Sequence, residues 1–265
     1  MQMKTLLYLC VLLTATLACR NSNTDQPEAE TSAVLTAEDR DSLYQYYLNK
    51  KPNDYPTDAI LEKGKLYPED AAPLDSSFLI YRGRLLEAVQ NKDLITLLSM
   101  LDQNIKCSFG DCVGKAGFAK LWELDNPNQI GNSPLWEEME RALLEGGSFD
   151  GSGHFAAPYI YANWAKTYDA YEYGVIAGRM VRMRAEPRLG TGIVKNLTYD
   201  IVKITNANGP DETINGETHP WVALQTLDGK DGHVWGKFVA SPIGFRAGFQ
   251  KKDGDWKMTY FLAGD

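Results

Sequence analysis

The chain is short of the residues on which most catalytic chemistry depends. It carries three histidines and four cysteines in 265 residues. No two histidines stand at metal-ligand spacing, no G-x-S-x-G or H-E-x-x-H motif occurs, and Cys107 and Cys112 do not form a C-x-x-C redox pair. No spacing marks a cysteine–histidine nucleophile. The glycine-rich stretch from Gly146 to Gly153 lacks the G-x-x-x-x-G-K-[ST] pattern that cradles phosphate. Catalysis needs convergent groups of matched proton affinity. The sequence therefore points away from an enzyme, with no catalytic residue, no metal ligand and no cofactor. The residual enzymatic candidates are Asp111, His154 and Asp265, as acids or bases of a pocket in the first part of the chain.

Basic runs are missing as well. No block of five or six Lys or Arg occurs, and the formal net charge is −8 with a pI near 5.0. An acidic surface repels phosphate, so nucleic acid is not an expected partner. The one long apolar run, Leu6 to Leu17, is too short for a permanent membrane span. Preceded by Lys4 and followed by Thr16-Leu17-Ala18-Cys19, it has the cues of a targeting segment. This tetrapeptide resembles the bacterial lipoprotein cleavage box, with Thr16 where Leu is usual. The resemblance implies lipid attachment at Cys19, a membrane anchor, and a place in the cell envelope, on the outer membrane facing the periplasm. The polar stretch from Arg20 to Glu30 reads as a solvated tether. Of the remaining cysteines, Cys10 lies within the signal. Cys107 and Cys112 flank a Phe-Gly-Asp turn and are read either as a disulfide across a hairpin, which an oxidising compartment favours, or as two buried thiols.

Hydrophobic residues make up 44% of the chain and aromatics 11%, enough for a sizeable core. Thr36 caps an expected helix to Lys50 that places Leu43, Tyr46 and Tyr47 on one face. Four prolines between Pro52 and Pro73 predict an extended wrap. Asp75 or Ser76 opens a helix to Val89 with Phe78, Arg82, Leu85 and Val89 on a stripe, and Asp93 caps another through Leu94, Leu97, Leu98 and Leu101. A hairpin is expected over Ile105 to Val113. It is followed by a helix over Gly114 to Leu124 with Phe118, Leu121 and Trp122 inward, and a helix begun by Ser133-Pro134 with Glu137 and Arg141 paired on its exposed face. Alternation of Tyr159, Tyr161 and Asn163 against Ile160, Ala162 and Trp164 is compatible with a strand beginning at Pro158. Tyr159, Tyr161 and Trp164 are candidate ligand-stacking residues, set against the simpler reading that they fill the core.

From Tyr171 the pattern changes to short Val- and Ile-rich strands punctuated by Gly, Pro, Asn and Asp, as in a small barrel. Val181 to Pro187, Ile193 to Leu197, Ile201 to Ile204, Trp221 to Leu224 and Asp228 to Val234 together resemble a bacterial SH3-like (SH3b) domain. His233 stands where such domains usually carry an aromatic, and the polar loop from Thr205 to His219 is longer than usual. The resemblance implies binding of cell-wall peptide or of an envelope protein, with Tyr199, Trp221, His233 and Trp235 as candidate contacts. A final hairpin turns at Asp253-Gly254, with Phe245, Ala247 and Phe249 expected to face Trp256, Met258 and Tyr260.

The expected fold is α+β: helices packed on an antiparallel sheet, with an inserted small all-β SH3-like barrel. The boundaries are 1–19 signal, 20–74 tether and first helix, 75–170 α+β domain, 171–240 barrel, and 241–265 a closing hairpin that completes the α+β domain. Outside the barrel, paired helices, a hairpin and a final Lys-Asp-Gly-Asp-Trp hairpin are weakly similar to nuclear-transport-factor-like cone folds. This similarity implies a small-molecule or enzymatic pocket as the alternative function. The whole chain resembles SH3-domain-containing lipoproteins of the Bacteroidetes type, a resemblance that defines no biochemical role.

Overall fold

A computed structural model describes residues 35–50, 63–110 and 112–264, which form an α+β fold. The segment expected to be a signal and Cys19 lie outside the described residues, as do Asp111 and Asp265. Helix α1 (Ala37–Asn49) opens with Thr36 and Asp39 in a reciprocal capping box, and Tyr47 is its buried residue. Tyr46 is not on the buried face; it is 47% exposed and its hydroxyl reaches Glu87. Helix α2 (Ser76–Gln90) is capped by Asp75, which accepts from the Phe78 amide, and α3 (Leu94–Met100) by Asp93, which accepts from the Thr96 amide.

The chain passes directly from α3 into β1 (Leu101–Lys106), four residues earlier than the expected hairpin. Of that hairpin the described residues keep only a minimal closure, in which the Cys107 amide donates to Cys112 O. Cys107 and Cys112 close a short loop by a disulfide, Lys106 and Val113 make one isolated bridge, and β1 instead pairs in parallel with the last strand of the chain. Helix α4 (Gly114–Leu121) buries Phe118, and Trp122 follows it into the core, but Leu121 is half exposed. Helix α5 (Leu135–Leu144) buries Leu135, Trp136, Met139 and Leu143. Ser133 Oγ accepts from the Leu135 amide and donates to the Trp122 carbonyl, which fixes the start of α5 against the end of α4. The exposed pair on α5 is Arg141 with Glu138, at i,i+3, rather than with Glu137.

Strands β2 (Ser148–Phe149) and β3 (Phe155–Ala157) follow. The strand expected from Pro158 through Trp164 does not form: β3 ends at Ala157, because Pro158 has no amide to give the ladder, and Pro158 opens α6 (Tyr159–Ala162) instead. The chain then leaves this sheet and forms β4 (Tyr173–Ile176), β5 (Val181–Arg184), β6 (Ile193–Leu197), β7 (Ile201–Asn206), β8 (Asp211–Ile214), β9 (Glu217–Thr226), β10 (Asp231–Trp235) and β11 (Val239–Ala240). It returns with β12 (Arg246–Lys252) and β13 (Asp255–Leu262). The first sheet has the order β1-β13-β12-β3-β2, and the second β11-β4-β7-β9-β10-β5-β6, with β8 paired to β9.

Helices and first sheet share one core centred on Phe78. Its ring meets Phe155 at 4.3 Å, Trp256 at 4.8 Å, Phe249 at 5.3 Å and Phe149 at 5.6 Å between centroids. Ala247 and Phe249 lie opposite Phe261 and Met258, and a register shift beside Gly248 puts Tyr260 on the other face of the sheet, opposite Gly248. Tyr260 therefore does not face Phe249 as the simple alternation predicts. Arg82, on the buried stripe of α2, donates to both oxygens of Asp70 at 2.6 and 2.7 Å. This bidentate geometry is what permits an arginine there.

The second sheet has its own core of Ile176, Val181, Met183, Leu197, Val202, Leu224 and Val234. A smaller cluster of Leu66, Tyr159, Ile160, Val175 and Ile201, with Trp164 against it, joins α6 to this sheet. The extended segment 63–72 touches both sheets. The Leu66 amide donates to Tyr199 O and the Ile201 amide to Gly64 O, while the Ala71 amide donates to Gly147 O and the Gly147 amide to Glu69 O.

Candidate functional site

Along β9 and β10 the residues facing away from the second core are paired across the strands. Trp221 lies opposite Trp235, and Ala223 opposite His233. Strand β5 lies on the far side of β10, with Arg184 in register with His233. Its inward residues are Val181 and Met183, so Arg182 and Arg184 share the outer side with the tryptophans.

These side chains line an open groove of about 430 Å³. Trp221, Trp235 and Phe238 supply its aromatic surface, Met180, Leu189 and Ile214 its apolar rim, and Arg179, Arg182, Arg184 and Lys237 its charges. The groove depends on the segment expected as a long polar loop. That segment is a β8–β9 hairpin, with Asn215 and Gly216 at φ of +52° and +86° in its two-residue turn. Asn-Gly between alternating residues is the local signal of such a hairpin, which the expectation of a long loop passes over.

Glu212 on β8 holds the tryptophans. Its Oε2 accepts from Trp221 Nε1 at 2.7 Å and from the Leu189 amide at 3.0 Å, and its backbone carbonyl accepts from Trp235 Nε1 at 3.0 Å. Both indole N–H groups are thereby occupied, and with Trp221 2% and Trp235 6% exposed the two rings form the buried floor of the groove. His219 sets its ring edgewise to Trp235, centroids 4.8 Å apart. Lys237 reaches Glu217 at 2.6 Å, and this bond holds the Glu217 carboxyl below its ordinary value. Arg184 is buried and donates to Thr191 O at 2.8 Å.

Of the candidates expected within residues 171–240, Trp221 and Trp235 line the groove, whereas His233 and Tyr199 do not. His233 sits on the same side as Trp235 with its Nδ1 buried and without a partner among the described residues. Tyr199 packs against Tyr67 at 5.5 Å, and Arg179 stands 5.9 Å over its ring. The groove cations were missed from sequence, because isolated arginines on short strands read as ordinary solvated surface.

The aromatic trio of the first part of the chain is divided. Tyr159 is buried in the cluster that joins α6 to the second sheet, and Trp164 packs on that cluster while donating to Tyr168 O at 3.0 Å. Tyr161 turns to the outer face of the first sheet, where the Arg246 guanidinium lies 4.8 Å from its ring centroid and 5.5 Å from that of Phe109. Burial, with Tyr161 beside it, pushes the Tyr260 hydroxyl well above its usual value. Arg246 is 5% exposed, and its Nη1 has no hydrogen-bond partner among the described residues.

His154 pairs through Nδ1 with Asp150 at 3.3 Å on an exposed loop. Asp150 Oδ1 also accepts from the amides of Ser152 and His154, and these backbone bonds hold its carboxyl below its ordinary value. The pair closes its own turn. Among the described residues no group of three or more His, Cys, Asp and Glu is arranged to hold a metal ion, and no helix is long and apolar enough to cross a membrane.

No family model matches the chain, and no curated protein or solved structure is significantly similar to it. The groove's own chemistry therefore carries the functional argument.

Proposed function

We propose that this chain is a noncatalytic cell-envelope lipoprotein, anchored through Cys19, whose second sheet binds a cell-wall peptide in the groove above Trp221 and Trp235. The groove itself is the observation that carries this reading. It is open, it is lined by exposed apolar and cationic side chains over a floor of buried tryptophans, and that floor is pinned by Glu212 before any ligand arrives. A preorganised floor of this kind lowers the ordering cost of binding. The resemblance of residues 181–239 to SH3-like modules is part of the same reading. It is supported by the return of β11 to pair with β4, which brings the last strand of the second sheet beside the first.

Co-sedimentation of the full chain with purified peptidoglycan tests the proposal. The expected result is enrichment in the pellet that falls about tenfold in the double variant Met180→Asp, Leu189→Asp, whose two side chains are exposed at the rim. Absence of the native chain from the pellet overturns wall binding. Equal enrichment of native and variant chains overturns the groove as its site.

A further inference from the structure

The charge of the groove is opposite to that of the chain. The protein carries a formal charge of −8, yet four cationic side chains and no carboxylate line this surface. Two of the four are already committed: Lys237 to Glu217, and Arg184 in part to Thr191 O. Arg179 and Arg182 are exposed and make no ion pair among the described residues. Glu212, which pins the floor, spends its carboxylate on the Trp221 indole and the Leu189 amide and does not line the groove.

A concave surface with one sign of charge over low-dielectric walls concentrates ligands of the other sign. The guanidinium groups are also the groove's main free donors, since both indole N–H groups are taken. Guanidinium matches a carboxylate fork to fork, and a bidentate pair gives direction as well as energy. Arg184 shares the outer side of β5 with Arg182 but is buried and donates to Thr191 O, so Arg182 is the exposed guanidinium of that strand.

Building on the wall-peptide reading, we infer that the groove selects an extended peptide bearing free carboxylates, with the exposed Arg182 taking a carboxylate, Arg179 steering the approach, and the exposed Met180 and Leu189 packing against the peptide above the buried tryptophan floor. The ligand is thus recognised as an anion. An amidated peptide of the same length would fill the groove without satisfying it.

The test uses the full chain and three probes of equal length: a synthetic wall stem peptide with all carboxylates free, the same peptide with every carboxylate amidated, and an oligoglutamate. The free peptide is expected to bind about tenfold or more tightly than the amidated one, with the difference shrinking at high salt and in Arg182→Gln. Because Arg182 is exposed, this variant keeps the fold, and Arg179→Gln is expected to slow association while leaving dissociation nearly unchanged. Equal affinity for free and amidated peptides overturns carboxylate selection and leaves wall-peptide binding standing. Oligoglutamate binding as tightly as the free stem peptide supports carboxylate selection and overturns the wall as its source. Binding of none of the three overturns both.

Discussion

Trp221 donates its indole N–H to Glu212 Oε2 at 2.7 Å, so a carboxylate on one arm of a hairpin fixes a ring on the other. The same carboxylate receives the Leu189 amide at 3.0 Å, and this ties the hairpin to the connection between β5 and β6. Replacing Glu212 by Ala leaves a nearly buried indole N–H without its acceptor. A loss of about 1–3 kcal/mol is expected in urea denaturation, together with a shift in tryptophan emission of the folded state. Unchanged emission would mean that Trp221 is held by packing alone.

The Arg82–Asp70 pair is the deepest charged contact of the first core, with side-chain exposures of 9% and 2%. Asp70→Asn strands a guanidinium inside the protein. The expected cost is about 3–5 kcal/mol. The double variant Asp70→Leu, Arg82→Met removes both charges and is expected to recover most of it, which a pair of denaturation curves would read directly.

Acid sensitivity is expected from Asp102. Its bond from Lys252, 2.7 Å away, holds the carboxyl below its ordinary value. A carboxyl depressed in the folded state stabilises the protein above its unfolded pKa of about 4, and that contribution is lost as pH falls through the lower folded value. Asp102→Asn should therefore be less stable than the native chain at pH 7 and equally stable near pH 2. Melting temperatures across this range decide it; an equal deficit at both ends would assign Asp102 a purely steric role.

Gly248 admits the Tyr260 ring, because a Cβ at this position would lie 1.9 Å from a ring carbon. Gly248→Ala is expected to lower stability by about 1–3 kcal/mol. In the background of Tyr260→Ala the same change should cost much less, since the space is then free. Additive losses in a double-mutant cycle would show that the glycine serves the backbone instead.

Much of this architecture was legible because its signals are local. Thr36, Asp75 and Asp93 each cap the helix expected of them, and Asp253-Gly254 makes its turn with φ of +53° and +91°. The α+β class followed from the order of such elements. What escaped were relationships between distant residues. A register shift beside Gly248 moves Tyr260 across the sheet, and β1 pairs with β13 rather than with a neighbour. Pro158 looked like the start of a strand and instead ends one, since the two uses of proline share one sequence pattern. The groove was half visible: Trp221 and Trp235 stand out as aromatics, whereas Arg182 acquires meaning only when β5 is laid beside β10.

Segment 63–72 is sewn to the second sheet through Gly64 and Leu66 and to the first through Glu69 and Ala71. Mechanically this makes it a brace, and one loaded in sequence. Tension arriving at residue 63 from the amino-terminal side meets the hydrogen bonds to Tyr199 and Ile201 before it reaches those to Gly147. A pull from the amino-terminal end of the described chain would meet α1 first, which Tyr47 and Lys50 hold to Glu87 on α2, so the helical core would carry load before it reached the sheet that carries the groove.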